Sequence, residues 1–366
     1  MLDNLLGYLK IRSDHPNPDY VSCIKYLISL KGDLEEKVYW NGDKPILMLT
    51  KVGQIKELPA LLLSSHMDVV PAGDEDAWIS PPFDASIKDG LIYARGTQDM
   101  KSIGMAYLEA LLQIPAPTTR TIHLLFTPDE EIGSGEGMQA FVPSLGNIAF
   151  ALDEGCPSPG QEVLVFVGEK RPWWVECVLR GVSGHGSVMH QGTAIQKLSR
   201  ALSAISSYQR EHRTDLVEGV SVNVTGIRTE DTLPNVIPSC ITVGLDVRVP
   251  PGKESEAKTL LDSWLASDWR IVNDLLTPNT ISPTDTPLFK AIKQTLASFN
   301  LPHRVAIFPG ATDARFIREH LGIPAYGFTP FNNTPLLLHD KNECLSVEQY
   351  ERAILIYKEI IQRTCQ

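Results

Sequence analysis

The sequence predicts an α/β protein built on a mostly parallel sheet, with a smaller α+β domain inserted into it. Three observations carry this reading. Short apolar runs alternate with helix-like segments from the N-terminus onward, the pattern of strands joined by crossover helices. The texture changes from Trp173 to about Val249, where strands alternate polar and apolar residues or carry turn chemistry. And 366 residues exceed what one hydrophobic core ordinarily organises, so two domains are the natural expectation.

Taken in order, the opening stretch MLDNLLGYLKIRSDHP has an early Asp3, no basic n-region and no small-residue cleavage site. It is expected to be an amphipathic helix and not a secretory leader. Ala60 to Ser65, Thr121 to Thr127 and Ile148 to Leu152 are short apolar runs that read as buried strands, and Ile323 to Phe328 as a shorter one. Ser102 to Leu112 and Gly137 to Val142 have helical character between them. The tail from Ser346 to Arg363 places Val347, Tyr350, Ala353, Ile354 and Tyr357 on one helical face.

In the middle, WWVECVLRG, SVNVTGI and ITVGLDVRVP read as strands, with helices over Thr193 to about Arg213 and Glu254 to Ser267. Strand, helix, two strands, helix suggests an antiparallel α+β unit. Pro250-Pro251-Gly252 ends its last strand, and Ser282-Pro283-Thr284-Asp285 resembles a linker. The expected organisation is therefore residues 173–284 inserted between 1–172 and 285–366. The tandem Trp173-Trp174 is expected in core or hinge packing.

Composition narrows the function. Hydrophobic residues at 43% and charged residues at 21% describe a soluble globular chain. Thirty-three basic against 44 acidic residues give a net charge of −11, which argues against nucleic acid and anionic membrane surfaces as partners. No apolar run approaches the roughly 20 residues needed to span a bilayer. The expected location is cytoplasmic. Six widely spaced cysteines without a CxxC are expected as reduced, mostly buried thiols. No GxGxxG or GxxxxGK[ST] follows a strand, so nucleotide binding lacks its signature.

What remains is a set of acids and histidines at strand ends. His66-Met67-Asp68 follows the first buried run, Asp99 follows the loop ARGTQDMK, Asp129-Glu130-Glu131 follows TIHLLFTP, Asp153-Glu154-Gly155 follows IAFAL, and His339 lies in LLLHD. In open parallel sheets ligands gather outside the carboxyl ends of the strands. So much negative charge in one crevice needs a neutraliser, and imidazole with carboxylate suits divalent zinc.

The motifs HMDVVP, YARGTQDMK, FTPDEEIGS and ALDEG with a late histidine resemble the M20 family of co-catalytic zinc hydrolases. EKRPWWV, SGHGS, LPNVIPS, PGATDARFIR and TPLLLHDKNE are similar to that family's N-acyl-amino-acid amidohydrolases, so the resemblance covers almost the whole chain. It implies a zinc-hydrolase catalytic domain holding two Zn2+ per subunit and an inserted lid and dimerisation domain. His66 and Glu154 would hold one zinc, Glu131 and His339 the other, and Asp99 would bridge them. Asp68 would orient the His66 imidazole, Glu130 would be the general base, and a cis peptide would fall at Asp99–Met100. His185 would reach across a homodimer interface to stabilise the oxyanion. Arg248, Arg315 and Asn235 would receive the substrate carboxylate, for which a guanidinium fork is a fitting partner.

The implied reaction is hydrolysis of an N-acyl-L-amino acid to a carboxylate and a free amino acid. A dipeptidase or another amide hydrolase using the same two zincs stays open. So does a non-catalytic protein that kept the fold, although neither Glu130 nor any ligand position is missing.

Overall fold

The structure, a computed structural model, describes residues 1–213, 219–229, 233–265, 268–273 and 280–365. The chain forms two compact units, one of Met1–Val167, Ile281–Ala306 and Thr312–Gln366, the other of Gly168–Thr280 and Ile307–Ala311.

The first unit is organised by a sheet of eight strands in the order Glu35–Asn41, Lys44–Lys51, Ile122–Thr127, Ala60–His66, Ile148–Asp153, Ala325–Phe328, Val163–Glu169 and His303–Phe308. The four strands from Ile122–Thr127 to Ala325–Phe328 run parallel. The hairpin Glu35–Lys51 joins them antiparallel on one side, and Val163–Glu169 pairs antiparallel on the other. The sheet is therefore α/β and mixed, with its parallel centre formed by the apolar runs read from the sequence.

The Ala60–His66 strand is buried along its whole length, and so is nearly every residue of the helix Lys101–Leu112. Full burial of each leucine there contributes roughly 1.5–3 kcal/mol. A Cβ on Gly104 would sit 2.3 Å from the Ser65 hydroxyl, so this helix lies directly against the strand that ends in His66. The C-terminal helix Val347–Cys365 closes the other side, with the Tyr107 and Tyr357 rings 4.5 Å apart.

The second unit carries a four-stranded antiparallel sheet in the order Ser221–Arg228, Cys240–Val249, Arg171–Arg180 and Trp269–Asn273. Helices Ala194–Glu211 and Glu254–Leu265 contribute Leu198, Ala201, Ile205, Ala257, Leu261 and Leu265 to a core with Trp173, Val175 and Cys177. Thr193 caps the longer helix by a capping box with Gln196. Residues 266–267, expected to end the second helix, lie outside the described residues.

Several expectations need correction. Trp174 is not core: strand alternation turns it to the face opposite Trp173, and it is 47% exposed. The strand Trp269–Asn273 and the hairpin Glu35–Lys51 went unread. The bond Asp99–Met100 is not cis; among the described residues the cis bonds are His15–Pro16 and Ala116–Pro117, both before proline, where the trans preference is small. The six cysteines are unpaired, five of them buried and Cys240 half-buried. Among the described residues, no helix is long and apolar enough to cross a membrane.

Candidate metal centre and active site

The site gathers at the carboxyl edge of the parallel strands of the first unit. His66 ends its strand, and its backbone is fixed there by the neighbouring strand, where Met67 N–H donates to the Thr127 carbonyl at 2.8 Å. Asp129, Glu130 and Glu131 leave the adjacent strand through a tight turn. Asp129 takes a left-handed conformation with φ of 64°, and its carboxylate is held by the Tyr20 hydroxyl at 2.7 Å and by Lys44. Glu154 follows the third strand. Gly155 comes next because the chain passes so close to the last parallel strand that a Cβ would lie 2.9 Å from Thr329 N.

Asp99 joins these elements. One carboxylate oxygen lies 3.0 Å from His66 Nε2, and the other 3.1 Å from His339 Nε2. Glu154 lies 3.5 Å from the His66 side, and Glu131 lies 3.1 Å from the His339 side. The two histidines thus face opposite oxygens of one carboxylate, each with a glutamate beside it.

Asp68 meets the His66 ring through its main chain. His66 Nδ1 is 2.9 Å from the Asp68 backbone carbonyl, while the Asp68 carboxylate stands 3.6 Å away. That carboxylate accepts from the N–H groups of Glu130 at 3.2 Å and Glu131 at 3.0 Å, and pairs with His15 Nε2 at 2.9 Å. Asp68 therefore orients the imidazole through its main chain and the two glutamates through its side chain.

The electrostatics follow from this crowding. Burial and then the negative charge of Glu154 push the Glu130 carboxyl well above the usual range. Burial and the Asp99 charge push Glu154 well above it too, and raise Glu131. Asp68 and Asp99 are also raised by burial, but the hydrogen bond from His15 and the nearby His66 imidazole for the first, and hydrogen bonds from His339 and His66 for the second, hold both far below it. Hydrogen bonds to Asp99 and Glu131 lift His339 to about 10. Cys156, two residues from Glu154, is pushed up to about 12 by burial and the nearby acids, so it is an inert thiol.

These residues fit divalent cations. Ligand atoms of His66, Asp99 and Glu131 lie within 4.8 Å of one another, and so do those of His66, Glu130 and Glu154. Glu131 Oε1 is buried with no hydrogen-bond partner, a lone-pair donor without a proton to accept. Imidazole and carboxylate are donors for zinc and its neighbours.

The remaining expected residues are divided between the two units. His185 and Asn235 belong to the second unit, where a two-stranded ribbon pairs Gly184–His185 with Val236–Ile237. Gly186 N–H donates to the Asn235 carbonyl at 2.8 Å, so the SGHGS and LPNVIPS motifs form one exposed structure. Ser187 N–H donates to His185 Nδ1 at 3.2 Å, which in the neutral ring leaves Nε2 carrying the proton as a donor. Arg248, on the sheet of that unit, is engaged by both oxygens of Asp246 at 2.7 and 2.9 Å. Arg315 is in the first unit, its guanidinium 4.5 Å from the Phe316 ring centre.

Three residues were not picked out by the sequence reading. His15 pairs with Asp68. Asp313, buried, accepts from Thr127 at 3.1 Å and from Ser134, and burial raises it to about 6. Glu343, buried, binds the loop that carries Asp99. Glu343 and Asp313 stand inside quoted motifs, but a lone acid among them carries no spacing signal.

An α/β sheet whose carboxyl edge holds two histidines around a shared aspartate, with a glutamate at each, defines a metallohydrolase. The chain belongs to peptidase family M20/M25/M40, which matches residues 62–363, and within it is an aminoacylase-like metallohydrolase. It is 38% identical to aminoacylase-1 of Dictyostelium discoideum over 97% of this chain and 95% of that protein. It is 37% identical to aminoacylase-1 of Mus musculus over 96% of this chain and 91% of that protein. The fold is similar to that of a tripeptidase from Staphylococcus aureus, with a TM-score of 0.76 at 20% identity over 99% of this chain and 97% of the other.

Proposed function

We propose that the protein hydrolyses N-acyl-L-amino acids to a carboxylate and a free L-amino acid, using two zinc ions per subunit. The observation that carries this is the Asp99 carboxylate set between His66 and His339 at 3.0 and 3.1 Å, in a chain 37–38% identical to two aminoacylase-1 proteins. His66 and Glu154 would hold one cation, Glu131 and His339 the other, and Asp99 both. When bound, the pair supplies Lewis acidity that polarises the amide carbonyl and makes a water acidic.

The chain's own residues supply the remainder. Glu130, its ligand atom within 4.8 Å of those of His66 and Glu154, is placed to take a proton from a water and pass it to the departing amine nitrogen. Asp68 holds the backbone of Glu130 and Glu131 and so aims both side chains. His185, through Nε2–H, would donate to the developing oxyanion from the partner of a homodimer. The second unit would serve as lid and dimerisation domain. Arg315, Asn235 and Arg248 would receive the substrate carboxylate, Arg248 as half of its pair with Asp246. A substrate of this kind and these ligands suit a cytoplasmic enzyme.

The test is turnover of N-acetyl-L-methionine against a panel of dipeptides, with and without chelator. Rapid cleavage of the acyl-amino acid, lost on chelation and restored by zinc, is the expected result. Preference for dipeptides, or full activity after complete metal removal, overturns the proposal.

A further inference from the structure

Glu343 touches neither histidine, yet it stands where the loop carrying Asp99 meets the loop carrying His339. Its side chain is fully buried. One carboxylate oxygen accepts from Gln98 N–H at 2.6 Å, the Thr97 hydroxyl at 3.3 Å and Asp99 N–H at 3.4 Å. The other accepts from Arg95 at 2.7 Å and Gly96 N–H at 3.1 Å. Three amides of one short loop thus converge on a single acid, a concave nest of the kind that ordinarily binds an anion. The nest exists because Gly96 adopts a φ of 93°, where a Cβ would also crowd Val69 at 3.1 Å.

The counter-ion extends the brace. Arg95 donates onward to the carbonyls of Asp340 at 3.2 Å and of His339 itself at 3.4 Å. Gln98 forms a second strut, donating to the carbonyls of Pro335 at 3.0 Å and Cys344 at 2.8 Å and accepting from Leu337 N–H at 2.9 Å. Strand pairing of Cys344 with Tyr93 fixes the register of the two segments. Apolar packing tolerates small slides between loops; a planar, acceptor-only group meeting five directed donors tolerates far less. What the brace holds apart is the Asp99 carboxylate and the His339 imidazole, 3.1 Å from each other.

We propose that Glu343, acting through Arg95 and the amides of residues 96–99, is the positioning residue that fixes the separation of Asp99 and His339 and thereby the divalent-cation affinity of the half-site they share. The proposal rests on reading those side chains as cation ligands, and its test separates the two ideas.

Metal-free full-length wild type, Glu343→Gln and Glu343→Asp are titrated with Zn2+ against a chromophoric chelator and with Co2+ followed by visible absorption. Glutamine keeps the shape but turns an NH2 donor toward the amide donors. Aspartate keeps the charge but falls a methylene short. Wild type should take up two equivalents. In Glu343→Gln one of the two should weaken by about 10- to 100-fold, the scale for loss of a group that orients ligands, with a changed Co2+ spectrum. Glu343→Asp should recover part of that loss. With cations saturating, kcat should fall while KM for N-acetyl-L-methionine stays within about threefold, since no substrate contact is removed.

Fewer than two equivalents in wild type overturns the ligand reading and this proposal with it. Two in wild type, with unchanged affinities and Co2+ spectrum in a folded Glu343→Gln, overturns this proposal alone. If Glu343→Gln fails to fold by circular dichroism, Glu343→Asp is judged by the same criteria. Failure of both to give a folded metal-free protein makes Glu343 a keystone of the fold and also overturns it.

Discussion

The two halves of the candidate centre are built by different means. His66 is 1% exposed, ends a wholly buried strand, and has its ring pinned by the Asp68 carbonyl at 2.9 Å. The side chain of His339 is 53% exposed, and the residue lies in a loop at a φ of 64°. The sheet preorganises the first half. Polar braces from Arg95, Gln98 and Glu343 hold the second. Asp99, hydrogen-bonded to both histidines, ties a rigid half to a softer one, so the same substitution should have different consequences on the two sides.

The largest effect expected concerns Glu130, on the His66 side. Its carboxylate lies within 4.8 Å of the ligand atoms of His66 and Glu154, so geometry alone permits a base or a ligand. As a base, Glu130→Gln keeps two equivalents of zinc and the fold while kcat falls by about 10²- to 10⁴-fold. Steady-state kinetics alongside metal analysis decide it. Loss of a cation together with activity would make Glu130 a ligand, and the rigid half would then differ from the softer one in ligand number too.

Next in size is the paired substitution of the histidines by asparagine, measured on metal-free protein by urea unfolding. His66→Asn leaves Asp99 and Glu154 without their buried partner and should cost about 1–3 kcal/mol. His339→Asn should stay within about 1 kcal/mol of wild type, because the His339 side chain is half exposed and asparagine tolerates the left-handed backbone. Equal losses would erase the contrast between the halves.

The same contrast explains what could be read from sequence. ALLLSSH, IHLLFT and IAFALD are legible because a strand buried on both faces must be continuously apolar, and each ends abruptly in the residues that carry the chemistry. The strand Glu35–Asn41 is not, since none of its residues is fully buried and an edge imposes little pattern. Trp174 was misjudged because adjacency in sequence means opposite faces in a strand. The residues that gather at the candidate centre could be named from their motifs. The braces could not: Glu343 meets Arg95 across 248 residues of chain, and His15 meets Asp68 across 53. Such pairs are made by the fold, and neither periodicity nor spacing announces them.

The smallest effect is a pH dependence that sharpens the difference. In metal-free protein, Asp99 and Glu131 raise His339 to about 10 from an ordinary value of 6.5. Between those limits the folded state binds more protons than the unfolded one, so stability falls as pH rises. The contribution is complete below about 6.5 and gone once pH has passed about 10. Because the ring is half exposed, solvent screening limits it to about 1 kcal/mol or less, on the order of a 1–3 °C shift in Tm. His339→Asn lacks this term but retains His66, so the Tm of wild type relative to the variant should decline steadily from pH 6.5 to 10. A constant difference would mean that His339 gains no proton affinity from Asp99 and Glu131, and that burial alone distinguishes the two halves.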